Sequence, residues 1–479
     1  MALGLGIDTG GTYTDGVIYD FEASRVVARE KRLTTPHNLS RGICELLGAF
    51  EPDRIRAVDM VALSTTLATN ACVEGRGGRA GLILMGYDRS LAQRLANEYG
   101  LAGAEQVHFI AGSHSQRGGV IEEVDPAEVD LVARQMAGRV DAVGVVEYWG
   151  VRDPSFEKLV KERVRAATGL PVAAAHEMTG EINSMRRAAS VLVNARLIPL
   201  IDELLAAVRS ALNDLGVGAP MMVVRGDGSL MTEKFAREYP VETMLSGPAS
   251  SIAGAMRLSG LADMVAIDIG GTTTDLSVVR GGRARLMREG VDVGEFHTGT
   301  RAVDIHTIGL GGDSSIEWTA RDGLGISPVR ALPLCQLTAR YPACREALAH
   351  MAAQERSVTY SRGTFFLRNR AVPPHMALAG EEQRVLGALA DGPLSIEKLA
   401  DALHTRPYFI RFERLERLGL VLRSTLTPTD AMHISGAFIR FDAEGSRLGA
   451  QLMASQAEMA EDALVDEVLH LAGEKLHRL

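Results

Sequence analysis

Cysteine is scarce. The 479-residue chain has four, Cys44, Cys72, Cys335 and Cys344, widely scattered and with no CxxC pair. That usage excludes a disulfide framework and argues against a zinc ribbon. A basic excess is also missing: the net charge is -9, so no sequence-independent grip on nucleic acid is expected. No uninterrupted apolar stretch is long enough to span a bilayer. Asp8 interrupts the opening apolar run, so no signal peptide and a cytoplasmic location are expected. What remains is an ordinary globular composition, 46% apolar and 23% charged. The length exceeds what one core usually holds, which predicts two or three domains.

One octet occurs twice. Asp8-Thr-Gly-Gly-Thr-Tyr-Thr-Asp15 opens the chain and Asp268-Ile-Gly-Gly-Thr-Thr-Thr-Asp275 repeats it, with identity at six of eight positions. Each copy lies between two short apolar runs, which predicts strand, tight Gly-Gly turn, strand. The residue types suit a phosphate clamp. Gly10, Gly11, Gly270 and Gly271 let the backbone approach closely, while Thr12, Thr14, Thr272 and Thr274 add hydroxyl donors. Asp8 and Asp268 are candidate Mg²⁺ ligands and catalytic residues, acting mostly through the ion's water shell. Asp15 and Asp275 close the two tips. A single Gly-Gly hairpin would carry no such weight, but a repeat marks duplicated architecture.

Around the octets, apolar strands at Val58–Leu63, Ala80–Met85, Ala142–Glu147 and Met221–Val224 alternate with helical patterns at 125–136 and 154–167, which predicts a mixed α/β layer structure. Glu181–Leu215 reads as one long helix that Pro199 should kink or split. Polar residues crowd at Ser64-Thr-Thr-Leu-Ala-Thr-Asn70, either a ligand edge of an open sheet or a helix N-cap cluster. Leu245-Ser-Gly-Pro-Ala-Ser250 leads into a small-residue helix. A third glycine cluster, Gly309, Gly311 and Gly312, follows a short strand pattern and could pack against an adenosine.

The last quarter changes character. Cys335–Phe366 shows no clear periodicity. Helices are predicted at 381–389, 396–403 and 406–418, with the strand Leu420-Val-Leu422 behind them, a pattern like a winged helix-turn-helix. Its charge is balanced, seven acids against seven bases over Glu381–Arg423, so DNA contact is not expected. Ser446–Leu471 reads as one amphipathic helical tail.

Together these residues resemble the hydantoinase A/5-oxoprolinase family, within the ATP-binding folds shared by actin, sugar kinases and heat-shock chaperones. The match is carried by Gly6–Asp15, Ser64–Ala71, Met244-Leu-Ser-Gly-Pro-Ala249, Asp268–Asp275, Asp304–Gly309 and the late Thr427-Pro-Thr-Asp-Ala431. The resemblance implies an α/β fold with two ribonuclease-H-like domains around a nucleotide cleft, at 1–178 and 179–334. A winged-helix-like module would be inserted at 335–425, with a return segment at 426–479. It implies ATP and Mg²⁺ held by the two hairpins, with Gly309–Gly312 at the adenosine. The implied reaction is ATP-dependent opening of a cyclic amide, by this chain or with it as the activating subunit beside a hydantoinase B-like partner. The alternative is a nucleotide- or metabolite-sensing regulator that uses the helical module. Against the family pattern, Arg225 stands where serine is usual, Asp313 where the loop is usually glycine, and Ser184-Met-Arg-Arg-Ala-Ala-Ser190 where the helix is usually acidic and aromatic.

Overall fold

The computed structural model describes residues 2–477 except 12, 36–38, 272, 288, 320, 355–359, 370–371 and 373–377. Contacts divide the chain into two compact units, Met1–Ala266 with Ser277–Ile305, and Ile267–Leu276 with His306–Leu479.

The first unit is built on two sheets. In the larger, β1 (Leu3–Thr9), β2 (Tyr13–Asp20) and β3 (Arg25–Leu33) form an antiparallel meander. β4 (Met60–Thr65) lies parallel to β1 on its other side. Met221–Val224 continues the parallel run and Leu230–Thr232 closes the edge. The second sheet is wholly parallel, in the order Val172–Ala174, Ala142–Glu147, Ala80–Met85, Gln106–Ile110. Its two inner strands are buried along their whole length, which explains why they read as continuous apolar runs instead of alternating ones. One face packs on the helices Pro126–Met136 and Ser155–Thr168. The other face meets the helix Ser184–Asp214, whose buried residues join those of the large sheet in one core.

That long helix passes through Pro199 without interruption. Leu197, Ile201, Leu204 and Leu205 are each at most 1% exposed. Burial on this scale outweighs the roughly 3 kcal/mol that an interior proline costs a helix, so the expected split is corrected.

In the second unit, Ser314–Thr319 and Gly323–Arg330 form a hairpin, and a four-stranded sheet runs Leu332–Pro333, Val421–Thr425, Phe365–Arg368, Leu394–Ser395. Two helices, Leu334–Arg340 and Pro342–Ala352, occupy the stretch where no periodicity was legible. The first spans two turns, too few to show a period, and proline at the first position starts the second. The tail is two helices, Ala443–Gln456 and Glu461–His477, separated by a turn in which Glu458 takes a left-handed φ of 54°.

The helical module has its own core, with Phe366, Leu386, Leu399, Phe412, Leu415 and Val421 among its members. Its expected third helix, 406–418, is corrected to a 3-10 turn at Pro407–Phe409 and a helix of only Glu413–Arg417. Ile410 is extended between them, and Phe412 stacks on Phe366 with centroids 3.6 Å apart and planes within 3°. The stack captures the backbone where a continuous helix would have carried it past. Arg406 and Arg411 therefore share no helix with Arg414, and Arg414 pairs with Glu382 at 2.5 Å.

Candidate functional site

At the first octet, Asp8 pairs with Asp15 and Thr9 with Thr14 across the β1–β2 ladder. The Gly10 N–H donates to the Tyr13 carbonyl at 3.0 Å, closing the turn. A Cβ on Gly10 would lie 3.0 Å from that same oxygen, so a side chain there would crowd the turn. Thr14 is buried and faces away from the tip. Its Oγ1 lies 3.0 Å from that of Thr34, which in turn donates to the Gly10 carbonyl at 2.8 Å. Thr14 thus braces the turn from behind. Asp15 pairs with Lys31 at 2.9 Å on the surface.

Asp8 is half-buried and its Oδ1 accepts from Ser64 Oγ at 2.6 Å. The polar cluster after β4 does both jobs that its sequence left open. Ser64 turns to Asp8, while Thr65 Oγ1 accepts the Leu67 N–H at the start of the next helix, at 3.0 Å. Ser246 Oγ accepts from the Thr65 N–H and donates to the Thr65 carbonyl, at 3.2 and 2.9 Å. This ties the start of the helix Ser246–Ser259 to the same sheet edge. Leu245, just before it, is held at φ 59°, a conformation that costs a branched residue about 1–2 kcal/mol. A Cβ on Gly247 would come within 3.8 Å of Asp8 Oδ1. Asp8 and the N-terminus of a 14-residue helix therefore share one edge, and the first N–H groups of a helix favour an anion there.

The second octet repeats the turn in the second unit. Gly270 N–H donates to the Thr273 carbonyl at 2.8 Å. Thr274 is again buried and braces the turn from behind, donating to the Leu310 carbonyl at 2.7 Å. Asp268 is exposed and Asp275 half-buried. Burial pushes the Asp275 carboxyl up, the 2.6 Å hydrogen bond from Thr307 pulls it down, and the charge of nearby Asp268 raises it further. Thr12 and Thr272 lie outside the described residues.

Gly309, Gly311 and Gly312 come to this second tip. The N–H groups of Gly312 and Asp313 donate to the carbonyls of Gly270 and Gly271, at 3.1 and 2.6 Å. The Thr429 N–H donates to the Gly312 carbonyl at 3.0 Å. Behind them Asp430 is fully buried and accepts five hydrogen bonds: Leu334 N–H, Cys335 N–H, Thr427 N–H, Thr427 Oγ1 and Ser446 Oγ. The third glycine cluster, the late Thr-Asp-Ala element and the second hairpin thus form one construction. Asp313 lies against Gly271, where an added Cβ would meet its Oδ2 at 2.8 Å. Burial holds the Asp313 carboxyl above its usual range, with Arg330 opposing and Asp430 adding to the shift.

Three residue groups that carry no motif also shape the first unit. Arg225 donates to one oxygen of Glu242 at 3.0 and 2.5 Å. Burial raises the Glu242 carboxyl, against the pull of Arg225. Arg187, fully buried, donates to the carbonyls of Glu147, Tyr148, Glu181 and Ile182. Arg186 holds the loop after Met287 through the carbonyls of Glu289 and Thr298 and the Asp292 carboxylate. The adjacent pair Arg186-Arg187 in the first turn of a largely buried helix was the one available signal, since such cations stay buried only when carbonyls or anions meet them.

A sheet whose carboxyl edge gathers a glycine turn, a carboxylate, hydroxyls and a helix N-terminus is the layout of a ligand-binding α/β protein. A model of the family described as hydantoinase/oxoprolinase matches residues 187–364, and one of its N-terminal region matches residues 4–168. The chain belongs to the hydantoinase/oxoprolinase family. Among its relatives, the caprolactamase subunit alpha of Pseudomonas jessenii is 30% identical over 342 residues, which cover 65% of this chain and 48% of that protein. The 5-oxoprolinase of Saccharomyces cerevisiae is 24% identical over 371 residues, 66% of this chain and 28% of that one. The crystal structure of the ATP-dependent caprolactamase from Pseudomonas jessenii superposes with a TM-score of 0.58 at 25% identity, covering 75% of this chain and 56% of that one. The chain thus spans about half the length of the caprolactamase subunit, and less of the oxoprolinase.

Proposed function

We propose that this chain is the ATP-using part of an enzyme that activates and opens a cyclic amide, acting alone or as the activating subunit beside a partner of the hydantoinase B kind. The observation that carries this reading is the duplication itself. Two octets close the same Gly-to-carbonyl turn, each backed by a buried threonine, and each presents carboxylates at its tip. The large sheet supports a ribonuclease-H-like reading, with its antiparallel meander followed by parallel strands, and the small core of the helical module supports a winged-helix-like one. The caprolactamase and 5-oxoprolinase names favour an enzyme over the regulator.

In this reading the backbone N–H groups of Gly11 and Gly271 receive phosphate oxygens, and the start of the Ser246 helix adds its partial positive charge. Asp8, oriented by Ser64, and Asp268, beside Asp275, offer hard carboxylate oxygens. Among the described residues no group of three or more His, Cys, Asp or Glu converges. Mg²⁺ commonly takes one or two carboxylates and fills its shell with phosphate oxygens and water, so these residues fit it. Bound Mg²⁺ would neutralise charge on the β- and γ-phosphates. The γ-phosphoryl group would pass to the amide oxygen with ADP as leaving group; one water would then add to that carbon and the ring amine would leave, and a second water would cleave the resulting acyl phosphate to carboxylate and phosphate. The overall change is ring, ATP and two waters to the open amino acid, ADP and phosphate. The chain's share is positioning and charge placement. No described helix is long and apolar enough to cross a membrane, and the cytoplasmic location belongs to the proposal.

The test is ADP release from the purified chain, with and without any protein that co-purifies, across a panel of lactams, hydantoins and 5-oxoproline. Ring-dependent ATP hydrolysis with ring opening is expected. ATP hydrolysis indifferent to every ring, under both conditions, contradicts the reading.

A further inference from the structure

A cavity of about 370 Å³ lies wholly within the first unit, with Arg225, Glu242, Arg301, Glu181, Gly290 and Gly299 in its lining. Its size falls within the roughly 300–1,000 Å³ of small-molecule pockets. Arg225 directly follows the strand Met221–Val224, which is parallel to β4, as β4 is to β1. The cavity therefore opens at the sheet edge that carries Asp8, two strands across, or roughly 10 Å at ~4.8 Å per strand.

Its walls are tightly built. A Cβ on Gly226 would lie 2.2 Å from the Met244 carbonyl oxygen, and one on Gly290, at φ 90°, 2.1 Å from that of Thr298. Ser190 Oγ accepts the Gly299 N–H at 2.8 Å, and Arg186 grips the same loop from the other side. Such walls hold the cavity open before any ligand arrives.

Its polar groups are only half used. Both bonds from Arg225 fall on Glu242 Oε2; among the described residues, none reaches Oε1. The Glu242 side chain is 5% exposed. A buried ion pair is poor value for stability alone, because apolar residues of the same volume serve as well or better. Arg301 lines the same cavity, and its guanidinium makes no hydrogen bond or ion pair with a described residue. Its charge is nonetheless felt at Glu242, which it favours in the ionised form. The cavity thus offers one unused carboxylate oxygen and one unused cation.

We propose that this cavity seats the ring substrate and selects cyclic amides that carry a carboxylate, with Glu242 Oε1 accepting the ring N–H and Arg301 pairing with the substrate's anion. This deepens the function proposed above and rests on it. A carboxylate accepting from the ring N–H draws electron density onto the amide oxygen, the atom that must attack phosphorus. Arg301 is a specificity residue and takes no part in that step. Arg225, held by Glu242, positions the carboxylate.

The experiment is titration calorimetry of the full chain, without nucleotide, using two matched pairs: 5-oxoproline against 2-pyrrolidinone, and hydantoin-5-acetate against hydantoin. At least one acid is expected to bind about tenfold or more tightly than its neutral partner. Arg301→Gln, on an exposed side chain, should remove that preference while leaving the neutral ring's affinity unchanged. Glu242→Gln should weaken both members of the pair. Equal affinity within each pair, binding of none of the four, or a preference that survives Arg301→Gln would overturn the proposal. Ring binding without ring-dependent ATP hydrolysis would instead overturn the wider reading and leave the pocket standing.

Discussion

The two octets share a backbone and differ in what stands behind it. Both close their turn with a glycine N–H on the carbonyl three residues on, at 3.0 and 2.8 Å. Both turn the seventh residue, Thr14 or Thr274, inward as a brace. In the first copy the leading carboxylate, Asp8, is the half-buried one, oriented by the Ser64 hydroxyl. In the second Asp268 is exposed, and it is the closing carboxylate, Asp275, that a hydroxyl, Thr307, engages. The first tip leans on a neutral hydroxyl, Ser246 Oγ, bonded to the Thr65 backbone. The second leans on a glycine loop above a buried anion, Asp430. A near-identical motif therefore dictates a turn, while its surroundings decide which carboxylate a neighbouring hydroxyl engages.

The largest effect expected from this contrast is at the two supports. Asp430→Ala strands five donors in the interior and should destabilise the protein by roughly 3–5 kcal/mol. Ser246→Ala removes a neutral hydroxyl and should cost only about 1–2 kcal/mol. Urea denaturation of the two variants checks this, and comparable losses would erase the distinction.

A smaller effect is expected at the tips. A Cβ on Gly271 would sit 2.8 Å from Asp313 Oδ2, whereas one on Gly11 would meet only the amide end of Asn70, at 3.3 Å. Gly271→Ala should weaken Mg-ATP binding by about tenfold, or ~1.4 kcal/mol, and Gly11→Ala by about threefold or less, because the Asn70 contact is the looser one and its flexible amide can shift. Matched nucleotide titrations would show whether the order holds.

The smallest effect concerns pH. Burial raises the folded-state pKa of Asp313, so between the ordinary carboxylate value and that raised value the folded state binds more protons than the unfolded one. Its contribution to stability therefore falls as pH rises through that window. Asp313→Asn should raise the Tm relative to the parent at neutral pH, with the difference shrinking as the pH falls below the ordinary carboxylate range. A Tm difference that does not change with pH would show that half-burial does not raise the Asp313 carboxyl.

Much of this was legible in the residues. The octets, the Ser64–Asn70 cluster and the strands at 80–85, 142–147 and 221–224 were readable because glycine turns and unbroken apolar runs are local signals. The rest depends on partners distant in sequence. Asp430 accepts from residues as far away as Leu334 and Ser446, and Glu242 meets Arg225 only through the fold. The helix was not split at Pro199 because burial outweighed a local rule, and the 406–418 helix misled because the Phe366–Phe412 stack did the same. The inward turn of Thr14 and Thr274 could not be read either, since side-chain direction at a hairpin tip depends on register.

The most direct test of the central claim, that twin hairpins bind Mg-ATP, is calorimetry of Mg-ATP with the parent chain and with Asp8→Ala and Asp268→Ala. Each substitution should weaken binding by at least ~100-fold, about 2.7 kcal/mol, while circular dichroism stays unchanged. Unaltered Mg-ATP affinity in either variant would contradict the claim.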